Sequence, residues 1–205
     1  MVDNSQDSYL VCALDPDLLS TAFKMRTSWH VTSGAPCSGK TTLINQLGRA
    51  GYHTTIETAR EYFEIEMAKG RTSQEIRDSG HPTQQGIFDF QQRLEDGLRP
   101  EQVGFLDRGL PDSLTFNRLF GLNPDEFLLE CRKHRYAFVF ILDRLPFVRE
   151  VQLGPEDEKS VQFIDMWLER DYTTLGYHVV RVPVCSPKER LGFVLDRIPD
   201  PKKSG

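Results

Sequence analysis

The sequence predicts a three-layer α/β fold, one parallel sheet covered by helices on both faces, and three observations predict it. Short β-branched or aromatic runs alternate with longer helical ones along most of the 205 residues. One run, YAFVFILD at 136–143, is apolar from Tyr136 to Leu142, as suits a strand buried on both faces. Between another strand and a helix lies a glycine-rich stretch, VTSGAPCSGKTTL at 31–43.

From the N-terminus, residues 1–26 carry apolar positions of their own, Leu10, Val11, Leu18, Leu19 and Phe23. They are expected to form an extension, a helix packed on the core or else a frayed tail, ahead of a single domain at 27–205. The first strand, SWHVTS at 28–33, has only Trp29 and Val31 to argue for burial and leans on the loop that follows. Further strands are HTTIE (53–57), QVGFLD (102–107), the 136–143 run and YHVVRVP (177–183), which makes five. Helices are expected at 40–50, 59–69, 83–98, 111–121, 124–134, 159–175 and 187–198. In the last, Leu191, Val194, Leu195 and Ile198 fall at i, i+3, i+4 and i+7 and form one stripe. Asn123 before Pro124 and Ser186 before Pro187 fit helix starts, with a capping side chain followed by proline in the first turn.

Composition narrows the function classes. A formal net charge of −5 gives no global attraction to nucleic acid or anionic lipid, so neither is an expected partner. Cys12, Cys37, Cys131 and Cys185 are widely spaced, with no CxxC pair, which argues against a zinc site or a disulfide framework. The acidic start MVDNSQDSYL lacks the basic region of a signal peptide, and no stretch approaches the roughly 20 apolar residues of a membrane span. A cytoplasmic protein is expected.

Gly34, Gly39, Lys40 and Thr41 satisfy G-x-x-x-x-G-K-[ST] in the strand-to-helix context the pattern requires, which makes 27–205 a P-loop nucleoside-triphosphate-binding domain. Backbone N–H groups from Gly34, Ala35, Pro36 (which itself contributes none), Cys37, Ser38, Gly39, Lys40, Thr41 and Thr42 would wrap a polyphosphate at the start of a helix. Lys40 would reach the β- and γ-phosphates, and the Thr41 hydroxyl would ligate Mg²⁺. Cys37 is read as a small residue facing away from the phosphates.

Such a cradle serves ATPases, GTPases, kinases and inert binders alike, so the other strand ends must decide. QVGFLD ends at Asp107, where a second magnesium contact is expected, and Arg108 follows in the place where a hydrolytic motor would carry a water-activating glutamate. An arginine there offers a planar fork for a phosphate or a substrate anion, or else a local ion pair with Asp107. Glu57 ends the second strand, one helical turn before Arg60. Beyond the carboxyl ends of the strands it can accept a proton from an attacking hydroxyl, or it can cap the next helix or pair with Arg60. The polar connector at 144–160 reads as a lid, with Arg144 and Arg149 as its cations, or as a solvated loop. No NKxD sequence occurs, which argues against a GTPase and leaves GTP open as the nucleotide.

GAPCSGKTTLINQL, IETAREYFE, FQQRLEDGL, FLDRGLPDSLTFNRLFG and LGYHVVRVP with SPKERLGFVL together resemble the small AAA-type ATPase-like P-loop family. That family is also described as ribosylnicotinamide-kinase-like, or as the domain of the TRPL-translocation-defect protein. The resemblance covers about residues 28–198. It implies a nucleoside- or nucleotide-kinase-like strand order 2-3-1-4-5, phosphates on Gly34 to Thr42, Thr41 and Asp107 facing magnesium, and Glu57, Arg60, Gln91 and Arg108 lining the acceptor side. Members often carry a lid arginine just before the final long helix; here that stretch reads QLGPEDEKS, and either Arg149 substitutes from earlier in the loop or the chain is a slow enzyme or a nucleotide-dependent binder. The reading that results is an ATP- and Mg²⁺-dependent phosphotransferase acting on a small hydroxyl-bearing, nucleoside-like acceptor, with Lys40, Glu57, Asp107 and Arg108 catalytic and either Glu57 or Asp107 taking the proton. The alternative is a nucleotide-dependent binding module with slow hydrolysis.

Overall fold

The computed structural model describes residues 9–146 and 158–198. Five parallel strands make the central sheet: β2 (Trp29–Ser33), β3 (His53–Thr54), β4 (Gly104–Asp107), β6 (Phe138–Leu142) and β7 (Val179–Val182). They lie in the order β3-β4-β2-β6-β7, which is the 2-3-1-4-5 arrangement. A second, two-stranded parallel sheet pairs β1 (Met25–Arg26) with β5 (His134–Arg135).

Alternation along the strands builds two cores. Val31, Leu106, Val139 and Ile141 point to one face, where α5 (His81–Asp96), α6 (Asp112–Leu119) and α8 (Glu158–Thr174) add Phe88, Leu114, Ile164, Leu168 and Tyr172. Phe105, Phe140, Leu142 and Val182 point to the other, where Leu43, Ile44 and Leu47 of α2 (Lys40–Arg49) meet Val194 of α9 (Pro187–Leu195) and Ile198. Each sheet face is thus covered by helices, and within the apolar run at 136–143 Val139 to Leu142 are buried alternately against the two cores. Before β2, the segment from Tyr9 carries the short helix α1 (Pro16–Ser20), capped by the Asp15 side chain, with Leu14 buried against the first core.

Some elements differ from the sequence expectation, each for a physical reason. The second strand stops at Thr54, because the chain must leave the sheet edge to start α3 (Thr58–Ala68); one further bond, Thr55 N–H to Phe105 O at 3.0 Å, prolongs the pairing. The helix expected at 124–134 becomes a 3-10 turn (Pro124–Phe127) and α7 (Leu128–Cys131), since His134 must leave helical geometry to pair with Met25. An extra helix, α4 (Ser73–Asp78), starts from a capping box in which Thr72 and Glu75 satisfy each other's backbone N–H groups, a pattern visible as T-S-Q-E. Among the described residues no helix is long and apolar enough to cross a membrane.

Candidate functional site

The central strand β2 runs between β4 and β6 and delivers its loop to the middle of the sheet's carboxyl edge. Gly34 leaves the strand at φ 144°, and a Cβ there would sit 2.8 Å from Ser38 Oγ and 2.9 Å from Leu142 O, so only glycine lets the loop close. Gly39, at φ 91°, is the N-cap of α2 and supplies no side-chain cap, which leaves first-turn N–H groups for an anion. Cys37 takes a left-handed φ of 59° without being glycine. Ala35 and Ser38 are buried, Pro36 and Cys37 half-buried, and Thr41 and Thr42 exposed on the first turn. Ser38 Oγ, though buried, has no hydrogen-bond partner.

Lys40 folds back over this loop. Its Nζ donates to Gly34 O at 2.9 Å and Ala35 O at 3.1 Å. Burial, then the Arg108 charge, pulls its pKa down to about 8, against the opposite pull of Glu57, Asp107 and Asp112.

The two neighbouring strand ends converge on the same place. Asp107 ends β4 opposite Thr32, and its N–H donates to the Thr55 hydroxyl at 3.0 Å. Its Oδ1 is buried without a partner, and burial, then the nearby Glu57, pushes its pKa up to about 6. Arg108 follows at φ 73°, a left-handed conformation that costs a non-glycine residue about 1 kcal/mol or more. Its Nε donates to Glu57 Oε1 at 3.1 Å and its Nη1 to Asp112 Oδ2 at 2.9 Å, while the guanidinium lies 5.1 Å from the Phe116 ring centroid. Burial opposes its charge, but Glu57, Asp112 and Asp107 more than compensate and raise its pKa. Arg108 therefore bonds across the crevice and makes no bond to Asp107.

Glu57 is the N-cap residue of α3, yet its side chain does not cap the helix; it faces Arg108. Burial pushes its carboxyl up, and the charges of Arg108 and Lys40 with the Arg108 hydrogen bond outweigh that, so the net shift is downward. Arg60 is exposed in the first turn of α3. Gln91, in α5, is buried: its Oε1 accepts from Thr58 Oγ1 at 2.8 Å, and its Nε2 donates to Glu95 Oε1 at 2.9 Å and Arg108 O at 3.2 Å. Arg149 and residues 147–157 of the connector lie outside the described residues. Arg144 forks onto Glu158 at the start of α8, at 2.6 and 2.9 Å.

Asp112 and Arg190 are among the residues of the site that the sequence does not single out. Asp112 joins the parts: it accepts from Ser33 Oγ at 2.6 Å, Arg108 Nη1 and Tyr172 OH at 2.7 Å. Its signal was the spacing in DRGLPD, where Asp112 is four residues beyond Arg108. Arg190, buried in α9, donates to Ser38 O in the loop, to Asp143 O at 2.8 Å and to Pro183 O at 2.9 Å, tying the loop to the ends of β6 and β7. It sits one helical turn before Val194 on the buried side of α9, a position the apolar stripe indicates only once arginine is allowed in it.

The donor set fits what a phosphate loop needs. An unpartnered carboxylate oxygen on Asp107 and the exposed Thr41 are hard oxygen donors of the kind magnesium takes, and unmade first-turn N–H groups suit a polyphosphate.

Residues 29–190 match the sequence model of the AAA domain family. The chain belongs to that family. No curated protein matches it. Among solved structures, this AAA domain resembles the deoxyadenosine kinase from M. mycoides with products dCMP and dCDP, at a TM-score of 0.57 and 15% identity, over 82% of this chain and 97% of that one. It also resembles the NadR protein in complex with NAD and AMP-PNP, at a TM-score of 0.55 and 19% identity, over 83% of this chain and 49% of that one. At such identities the likeness establishes a P-loop kinase-like fold for the AAA domain and nothing finer.

Proposed function

We propose that this AAA domain transfers the γ-phosphoryl group of ATP, with magnesium, to a hydroxyl of a small, nucleoside-like acceptor. The observation that carries the proposal is Arg108, which occupies the place after the strand-end acid where a hydrolytic motor would activate water, and which faces Glu57 across the crevice. Structural likeness to deoxyadenosine kinase and NadR supports the nucleoside-like acceptor by analogy of fold.

In this reading the loop from Gly34 to Thr42 binds the polyphosphate, and Lys40 exchanges its carbonyl partners for phosphate oxygens. Thr41 and Asp107 would hold magnesium, which when bound neutralises charge on the β- and γ-phosphates. Glu57, kept ionised by Arg108, takes the proton of the acceptor hydroxyl as its oxygen bonds to the γ-phosphorus and the bond to the β-phosphate oxygen breaks, releasing ADP. Arg108 steadies charge on the acceptor side, with Arg60 at its exposed rim and Arg149 as a further cation from the connector. GTP is the alternative donor.

Incubating the protein with Mg·ATP and a panel of nucleosides and related hydroxyl metabolites, while following ADP, tests the proposal. Acceptor-stimulated ADP is expected, and Glu57→Gln should lower it on the order of 100-fold or more without changing nucleotide affinity. Tight nucleotide binding with no stimulation across the panel would instead favour the nucleotide-dependent binding module.

A further inference from the structure

We propose that Gln91 and Glu95, four residues apart on α5, act as positioning residues that hold Arg108 in its left-handed conformation and so aim its guanidinium at Glu57. The inference rests on the phosphotransferase reading and changes the part assigned to Gln91, from a contact to the acceptor into a support behind Arg108.

A left-handed non-glycine residue persists when the groups on both sides of it are held. Here they are. On one side Gln91 Nε2 donates to Arg108 O at 3.2 Å; on the other, Leu110 N–H donates to Glu95 Oε1 at 3.1 Å and lies 3.2 Å from the Tyr136 hydroxyl oxygen. Arg108 N–H is fixed by Thr32 O at 3.1 Å. Gly109, between the two anchor points, has no room for a side chain: a Cβ there would meet Tyr172 Oη and Val31 Cγ2 at 2.9 Å each. The segment from 108 to 110 is therefore pinned from α5, from β2 and from the core beneath it.

Glu95 is costly to bury, being 0% exposed with no lysine or arginine among its hydrogen-bond partners. Its oxygens accept from Gln91 Nε2, Leu110 N–H and the Tyr136 hydroxyl, and Oε2 lies 3.1 Å from His134 Nδ1. Thr58, in the first turn of α3 beside Glu57, donates to Gln91 Oε1 and so fixes which way the amide faces, with its N–H groups toward Glu95 and Arg108. One chain of bonds thus links the helix that begins at Glu57 to the backbone of the arginine that Glu57 faces. Besides Tyr136 and His134, this deeply buried carboxylate takes one loop N–H and the amide that steadies the neighbouring carbonyl, and so braces the backbone on both sides of Arg108.

The experiment compares wild type, Gln91→Met and Glu95→Gln by NMR of isotope-labelled arginine side chains in the ligand-free protein. In wild type the Arg108 Nε–H is expected to exchange slowly with solvent, protected by its bond to Glu57. Both variants should speed that exchange roughly tenfold or more, because the aimed conformer is no longer held. Mg·ATP affinity by calorimetry should stay within about twofold, since no phosphate-loop group is touched. With an acceptor in hand, kcat should fall while the nucleotide KM stays put. Folded variants with unaltered Arg108 exchange overturn the proposal. Should both fail to fold, Thr58→Val removes only the donor that orients the amide; a several-fold rise in exchange is expected there, and none overturns the proposal. Loss of Mg·ATP binding in wild type would instead sink the phosphotransferase reading and leave the positioning measurement standing.

Discussion

The two sides of the crevice are built in different ways. The side proposed to hold phosphate is one continuous stretch, Gly34 to Thr42, which would recognise it through backbone N–H groups, with Lys40 as its charge. The proposed acceptor side is assembled from side chains on separate elements: Glu57 before α3, Arg108 after β4, Asp112 opening α6, Tyr172 from α8 and Gln91 with Glu95 from α5. A site made of backbone keeps its geometry when one side chain changes. A site made of mutually bonded charges does not, so losses on the two sides should fall on different properties.

The largest expected effect is on stability, from the acceptor side. Arg108→Met leaves Glu57 and Asp112 as partly or wholly buried carboxylates without their cation, and breaking a buried pair this way costs about 3 to 5 kcal/mol. Urea unfolding of the ligand-free variant measures it. A loss below roughly 1 kcal/mol would mean that water, not Arg108, balances those carboxylates, and the contrast between the two sides would fail.

On the phosphate side Lys40→Ala should do the reverse. Nucleotide affinity, read by calorimetry with magnesium, should fall on the order of 100-fold, or about 2.7 kcal/mol. Ligand-free stability should stay within about 1 kcal/mol, because a buried ammonium already disfavoured by its surroundings is removed along with its two carbonyl bonds. If ligand-free stability instead dropped as far as in Arg108→Met, Lys40 would be as much a structural group as Arg108.

The same difference explains what could be read in the sequence. A loop whose chemistry is local leaves a local pattern, and Gly34, Gly39, Lys40 and Thr41 stand within eight residues. The sheet is readable for a similar reason, since burial on both faces leaves the apolar residues Val139 to Leu142 in a row. Glu57 and Arg108 are legible as strand-end charges, but their pairing is not, because 51 positions separate them and each has a nearer candidate partner in sequence, Arg60 for one and Asp107 for the other. Glu95 and Arg190 stayed hidden because they occupy helix faces where periodicity leads one to look for leucine, and their partners, backbone groups of Leu110 and Ser38, carry no sequence signal at all.

Beneath the phosphate side lies a further weakness. His30, on β2 just ahead of the loop, is buried among Phe105, Phe138 and Phe140, its Nδ1 has no partner, and burial pulls its pKa down to about 4. The folded protein therefore keeps His30 neutral where the unfolded chain protonates it. Stability falls as pH drops below about 6.5 and the loss levels off near 4, about 3 kcal/mol in all. Subtracting the unfolding free energy of His30→Leu from that of wild type between pH 7 and 4 isolates this contribution. A flat difference would mean that His30 is solvated after all.

The smallest effect has the opposite sign. Asp107 stands where the two sides meet, and its buried, unpartnered oxygen makes ionisation unfavourable, lifting the pKa to about 6. Above that pH the ligand-free protein carries a charge it would rather not have, so Asp107→Asn should stabilise it by about 1 to 2 kcal/mol at pH 8. The same change should weaken the dependence of nucleotide binding on magnesium, because the oxygen proposed to hold the cation no longer carries a charge. A group that lowers stability without ligand and raises affinity with it is the mark of a site organised for something that arrives. If Asp107→Asn were less stable than wild type at pH 8, Asp107 would belong with Glu57 and Asp112 as a partner of Arg108, and the metal role would pass to another oxygen.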